Sequence, residues 1–300
     1  MNKIKSLTLY LGFFVNNKVN SYKLLDSGDF SKLEEIAGHK IIRPSQNAPY
    51  KKNNLTIWEN PDAIYLKNET GSGKWTFHKP IQENFILLIS DFKIQVKLTP
   101  FGHIGVFPEQ MENWDLIQKI GKNKISFEVL NLFAYSGLST LAALKSGMAV
   151  CHVDSSKGMV DWARENTKLS QLENAKIRWI VDDVFKFIKR EIKRKKKYNG
   201  FILDPPSFGR GSKGEIWKIE KHLIILIELL MELCDNKPDF IILSCHTTGY
   251  SALTLERILS SSVNSTGKFF SKELSIKDEF GNLLPSGFSS YFLSSNLEKM

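Results

Sequence analysis

The sequence predicts a doubly wound α/β sheet over residues 101–300, preceded by a smaller, mostly-β domain over residues 1–100. Three observations predict it. From Phe127 to Leu259, apolar runs rich in strand formers alternate with amphipathic stretches of helical period. Acidic residues, Asp154, Asp182-Asp183 and Asp204, stand where successive strand candidates end. Before residue 100, short strand-like runs are separated by turn residues instead of helices.

The chain is organised around Phe127–Asp154. Phe127–Phe133 reads as a strand, and Ala134-Tyr135-Ser136-Gly137 as a tight turn. Leu138, Leu141, Ala142 and Leu144 recur at helical spacing, and Gly147 sits where a helix stops. Ala149–Val153 is the next strand and delivers Asp154 to its end. A glycine turn lets backbone approach a ligand, and a carboxylate after the next strand can accept both ribose hydroxyls. The full G-x-G-x-x-G fingerprint of pyrophosphate binding is missing, which points to S-adenosylmethionine rather than a dinucleotide. An ordinary βαβ unit without a ligand is the alternative.

With 300 residues, 42% hydrophobic and 24% charged, the chain is long enough for a large and a small domain. No apolar run is long enough to span a membrane. Leu7–Val15, after Lys3 and Lys5, lacks a cleavage site and reads as a buried strand rather than a signal peptide. The 3 cysteines, without C-x-x-C spacing, argue against a disulfide framework or structural zinc and point to a reducing cytoplasm. A net charge of +9 favours a polyanionic partner.

In the first domain, Tyr22–Asp29, Ile41–Pro44, Ala63–Leu66, Trp75–Phe77 and Phe92–Lys97 are strand candidates. Pro44, Pro61 and Gly71-Ser72-Gly73 punctuate what reads as a mostly antiparallel sheet. Trp58, Tyr65, Trp75 and Phe77 can stack bases or fill its core. Thr99–Trp114 is dense in Gly, Pro and aromatics. It can close over a ligand with Gln110 as a polar contact, or serve as a linker. Asp115–Gly121 starts a helix.

Beyond Asp154, Ser156–Leu172 reads as a helix and Ile177–Val181 as a strand. Asp183 can accept the adenine amine or cap the helix that follows. That helix, Val184–Lys197, keeps an apolar stripe of Phe185, Ile188 and Ile192 among eight cations, from Lys186 to Lys197. Such a run is a solvated face or a phosphate track. Phe201–Leu203 ends in Asp204-Pro205-Pro206-Ser207-Phe208-Gly209-Arg210-Gly211, a stiff rim at the edge where open α/β sheets bind ligands. Glu215–Leu233 is a helix, and Phe240–Leu243 a strand running out into Ser244-Cys245-His246. Leu253–Leu259 is helical. Lys268–Lys277 and Ser289–Leu297 form a terminal hairpin around Gly281 and Pro285-Ser286-Gly287. The sum is a parallel sheet with one antiparallel strand.

With these residues in view, the chain resembles the class I, Rossmann-like S-adenosylmethionine-dependent methyltransferases of the ribosomal RNA large-subunit family, in the short form without a PUA domain. The marks are F-G-H-I-G-V-F-P-E-Q (101–110), N-L-F-A-Y-S-G (131–137), V-D-S-S-K (153–157), D-D-V-F-K-F (182–187), D-P-P-S-F-G-R-G (204–211) and L-S-C-H (243–246). The resemblance implies that Asn131, Phe133, Ala134 and Gly137 hold the methionine part of the cofactor. It implies that Asp154 and Ser155 hold the ribose, and Asp182 and Asp183 the adenine. Gln110 completes the pocket and Asp204 lies between cofactor and target base. Members that methylate cytosine C5 carry a cysteine after the fifth strand, and Cys245 matches that place, which favours cytosine C5 with Cys245 as the nucleophile and Asp204 stabilising the adduct. Members that modify guanine N7 do not need it. RNA is the implied partner, with no metal and no membrane. The rival readings are a small-molecule or protein methyltransferase, an NAD-dependent oxidoreductase, and a non-catalytic RNA-binding protein.

Overall fold

The computed structural model describes residues 21–67, 73–122, 127–211 and 214–297. The strand expected over Leu7–Val15 and the Gly71-Ser72 part of a turn lie outside the described residues.

The first sheet runs in the order β1 (Tyr22–Gly28), β2 (Ser31–Ile36), β3 (His39–Pro44), β4 (Ala63–Lys67) and β5 (Gly73–Phe77). Only the β3–β4 pair is parallel. The sequence does not announce β2, because Ser31-Lys32-Leu33-Glu34-Glu35-Ile36 is too polar. It holds as a central strand because Arg43 grips the buried Glu34 with two bonds of 2.7 and 2.8 Å. Tyr22 Oη adds a third, at 2.9 Å. A separate hairpin follows, β6 (Asn84–Ile89) and β7 (Phe92–Lys97). β6 is also missing from the expectation, although Phe85, Leu87 and Ile89 alternate into the core.

Next come α1 (Met111–Lys122), β8 (Glu128–Leu132), α2 (Leu138–Lys145), β9 (Ala149–Asp154), α3 (Lys157–Leu169), β10 (Ile177–Val181), α4 (Val184–Lys193) and β11 (Gly200–Leu203). A short hairpin, β12 (Phe208–Arg210) and β13 (Ile216–Lys218), precedes α5 (Ile219–Leu233). The chain ends with β14 (Phe240–Cys245), α6 (Ala252–Ser262), β15 (Gly267–Lys277) and β16 (Leu283–Ser294). The large sheet has the order β10-β9-β8-β11-β14-β16-β15. β8, β9, β10, β11 and β14 are parallel, and β16 lies antiparallel between β14 and β15. The chain winds outward from β8 in one direction and from β11 in the other. The crevice between those two strands is therefore the topological switch point, where such sheets bind ligands.

The two faces of this sheet carry two cores. One is continuous with the first domain, since Tyr22, Leu24 and Ile41 pack in the same cluster as Trp114, Ile117 and Leu141. Hydrogen bonds also cross from the hairpin to α3. Asn166 Oδ1 accepts from Gln95 N at 2.9 Å, Trp162 Nε1 donates to Gln95 O at 3.0 Å, and Ser170 Oγ donates to Lys93 O at 2.9 Å.

Three expected elements differ. α4 stops at Lys193 rather than Lys197, because Lys195 takes a left-handed φ of 55° that ends the helix. Its fully buried face is Val184, Phe187, Ile188 and Glu191, with Phe185 and Ile192 of the expected stripe half-buried against the same core. Glu191 is tolerated there because Arg178, Tyr198 and Arg194 all donate to it. α5 begins at Ile219 rather than Glu215, since 216–218 pair back onto 208–210. Pro285 marks a bulge inside β16 rather than a turn: the register against β15 shifts between Leu274 and Ser275, opposite it.

Candidate functional site

A cavity opens at the switch point. The segment before α1 contributes Val106, Phe107 and Gln110. The end of β8 and its turn contribute Asn131, Phe133, Ala134, Tyr135 and Gly137. The end of β11 contributes Asp204. Residues proposed from distant parts of the sequence thus meet at one place.

The turn after β8 is backbone held under tension. Phe133 and Tyr135 take left-handed φ values of 55° and 50°, and Gly137 one of 91°. Such conformations cost about 1–3 kcal/mol for a residue with a side chain and persist only when neighbours impose them. Here Asp154 Oδ2 accepts from Tyr135 N at 3.0 Å, and Asn166 Nδ2 donates to Ser136 O at 2.9 Å. Ser136 Oγ donates to Gly105 O, tying the turn to the segment that covers it.

Behind the turn runs a buried polar chain. Asn131 Nδ2 donates to Thr140 Oγ1 at 2.9 Å, and Thr140 Oγ1 lies 3.0 Å from His152 Nδ1. His152 is fully buried, and burial, reinforced by Arg164, pushes its pKa down to about 3 from 6.5. The folded state therefore refuses a proton that the unfolded chain binds below pH 6.5. Stability should fall as pH drops from 6.5 to 5, by roughly 2 kcal/mol from this group alone. Urea titrations at both pH values on the wild type and His152→Asn check it. The variant should lose that part of the slope, and an unchanged slope would remove His152 as its source.

Gln110 is buried. Its Oε1 accepts from Asn113 Nδ2 at 2.6 Å and from Ser244 Oγ at 3.2 Å, while Nε2 has no partner among the described residues. An unpaired buried donor costs about 1–3 kcal/mol, and here it borders a cavity that a polar ligand can fill. Asp204 keeps 33% of its side chain exposed, yet crowding at the site raises its carboxyl pKa. Desolvation is the main cause, Glu109 adds to it, and His246 opposes it. His246 stands between the two acids, with Nε2 3.8 Å from Asp204 and Nδ1 3.9 Å from Glu109. Its ring lies 5.9 Å from that of Phe107, which also meets Tyr135 at 5.6 Å. Sequence reading noted His246 only as a neighbour of Cys245. Its place one residue past a strand end was the available signal.

Asp154, Ser155, Asp182 and Asp183 are not among the residues lining the cavity; they stand at or just past the ends of the neighbouring strands β9 and β10. Asp154, at the end of β9, also accepts from Ser156 N at 2.8 Å, and burial raises its pKa against the pull of these bonds. Ser155 follows it, half-buried. Asp182 Oδ1 accepts from Asp183 N at 2.9 Å, and its other oxygen pairs with Arg190. Asp183 caps α4, accepting from Lys186 N at 3.0 Å. Part of the basic run beside it pairs with acids of its own chain: Lys186 with Glu215, Arg194 with Glu191, Lys196 with Glu128 and Lys197 with Asp235.

Cys245 does not line the cavity. It is 0% exposed and packs with Leu243 and Leu255. Strand alternation turns it to the face opposite Ser244, whose hydroxyl reaches Gln110. Burial raises its thiol pKa, partly offset by Thr247 N–H donating to Sγ at 3.4 Å.

The sheet order, the glycine turn after β8, the acid ending β9 and Asp204-Pro205-Pro206 after β11 define a class I methyltransferase. The S-adenosylmethionine-dependent methyltransferase family matches residues 73–255, and the chain belongs to it. The cofactor is S-adenosylmethionine. A solved S-adenosylmethionine-dependent methyltransferase from Agrobacterium tumefaciens is 32% identical, with a TM-score of 0.87 over 92% of this chain and 91% of its own. The ribosomal RNA large subunit methyltransferase K/L of Syntrophotalea carbinolica is 33% identical over 57% of this chain and 24% of its own length. The ribosomal RNA large subunit methyltransferase I of Escherichia coli is 32% identical over 43% of this chain and 31% of its own length. The matched region therefore spans less than two thirds of these curated relatives. Among the described residues, no helix is long and apolar enough to cross a membrane.

Proposed function

We propose that the protein methylates a base of ribosomal RNA at the switch-point cavity. The convergence of the strained Phe133–Gly137 turn, the unpaired Gln110 amide and Asp204 on that cavity carries the reading. The names of the curated relatives support the substrate class. S-adenosylmethionine supplies an electrophilic methyl group, so the protein's task is mainly alignment. Asn131, Phe133, Ala134 and Gly137 face its methionine part, with Gln110 Nε2 as a donor. Asp154 and Ser155 take the ribose, and Asp182 and Asp183 the adenine edge. Asp204 accepts hydrogen bonds from the target base and holds it toward the methyl group. Incubating labelled S-adenosylmethionine with ribosomal RNA from cells lacking this protein tests the reading. Label should enter one large-subunit nucleotide; failure of transfer with cofactor binding intact would sink the substrate assignment.

The acceptor atom is read from Cys245. Cytosine C5 needs a thiolate adding to C6, and a thiol reacts as thiolate. A thiol that is fully buried, with its pKa raised, supports a base nitrogen as acceptor instead. Cys245→Ala should keep methyl transfer within a few-fold and lose about 1–2 kcal/mol of stability through lost packing. RNA carrying 5-fluorocytosine should trap no adduct. An inactive Cys245→Ala enzyme that still binds cofactor and RNA, together with a trapped adduct, would restore the cytosine-C5 route.

A further inference from the structure

One face of the first sheet runs toward the mouth of the cavity. Register sets Lys32 opposite Arg43, Tyr65 opposite Trp75, and Ala63 opposite Phe77, with Ile41 beside Ala63. Alternation then puts Lys32, Arg43, Tyr65, Lys67, Trp75 and Phe77 on that face. Part of it is closed by the segment leading to the site. Trp75 Nε1 donates to Thr99 O at 2.7 Å, Tyr65 Oη to Pro100 O at 2.9 Å, and Arg43 Nη1 to Gly102 O at 3.0 Å.

The rest is open. Phe77 stacks on Trp75, centroids 6.4 Å apart and planes 26° from parallel, and remains 52% exposed. Gly102 N donates to Thr99 O at 3.0 Å, closing a turn whose tip holds Phe101 77% exposed. Single exposed apolar residues are ordinary. Here Phe77 and exposed Lys67 stand at opposite ends of the β4–β5 pair, and Phe101 at the tip of the closing segment. Lys32, Arg43 and Lys67 all bear on His103, while Arg43 and Lys32 pair with Glu34 and also feel the charge of Glu109. From His103 the rings step to Phe107 at 5.8 Å and on to His246, beside Asp204. An aromatic path thus connects this face to the cavity.

We propose that this face binds single-stranded RNA flanking the methylated base, stacking bases on Phe77 and Phe101 with a phosphate at Lys67. The proposal rests on RNA being the substrate. The net charge of +9 and exposed Lys67 favour a polyanion over a protein partner. Exposed ring faces select unpaired bases, because duplex bases already stack on one another.

The test uses the full chain, a short fluorescein-labelled single-stranded RNA, the same sequence as duplex, and calorimetry with S-adenosylmethionine. Phe101→Ala and Phe77→Ala should each weaken single-strand binding by roughly 5- to 100-fold. Cofactor affinity should stay unchanged. Lys67→Gln should lower the salt slope by about one. Phe101 sits on a loop tip, so its variant keeps the test open should Phe77→Ala fold poorly. Wild-type binding that the phenylalanine variants leave unchanged would overturn this surface alone. A wild type that binds cofactor but no RNA would overturn the substrate reading as well, and preference for duplex would overturn the stacking role.

Discussion

Asp204→Asn should lower kcat for methyl transfer by roughly 10²–10³-fold, the range for loss of a preorganised hydrogen-bonding group at the reacting centre. The amide keeps the shape but places a donor where the base presents N–H groups. The pH profile separates this from a packing defect. Burial first, and Glu109 second, raise the Asp204 pKa, while His246 opposes them. The wild-type rate should therefore fall as pH drops through a midpoint above the usual carboxylate value of about 3.9. His246→Gln removes the opposing charge and should move that midpoint higher still. Asp204→Asn should show no such limb. Equal kcat in wild type and variant, or an acid limb surviving in Asp204→Asn, would take Asp204 out of the reaction.

The parallel sheet and the turn were legible because their signals are local. Phe127–Asp154 carries a strand, a turn and a helix in consecutive residues, and each fixes its own conformation. Asp204 and Gln110 were legible as candidates because each stands in a distinctive run. Tertiary compensation was not legible. β2 exists through Arg43, which lies on another strand, and Glu191 is buried because Arg178 and Tyr198 meet it. The ion pairs of the basic run were not legible either, because their acids, Glu128, Glu215 and Asp235, are remote in sequence. The role of His246 was not legible for the same reason, since it depends on Glu109, remote in sequence.

Gly137→Ala should destabilise the fold and empty the site together, and two glycines of the same helix show why. Gly137 and Gly147 flank α2 with φ values of 91° and 90°. A left-handed residue with a side chain costs about 1–2 kcal/mol, and both substitutions incur that term. At Gly147 a methyl group meets nothing within 4 Å. At Gly137 it would stand 2.8 Å from Ala163 Cβ and 3.4 Å from Ala163 Cα, so α3 must move. Overpacking adds about 1–3 kcal/mol. The displaced helix carries Asn166, whose amide holds Ser136 O, so the strained turn loses a brace. Gly137→Ala should therefore lose about 2–5 kcal/mol in denaturant titrations. Its affinity for S-adenosylmethionine should fall at least about tenfold, the equivalent of roughly 1.4 kcal/mol. Gly147→Ala should lose only the first term and bind the cofactor normally. Adding Ala163→Gly to Gly137→Ala should recover part of the affinity, because it removes the methyl that the new side chain strikes. If Gly137→Ala binds the cofactor as tightly as Gly147→Ala, the turn is not the cofactor's seat.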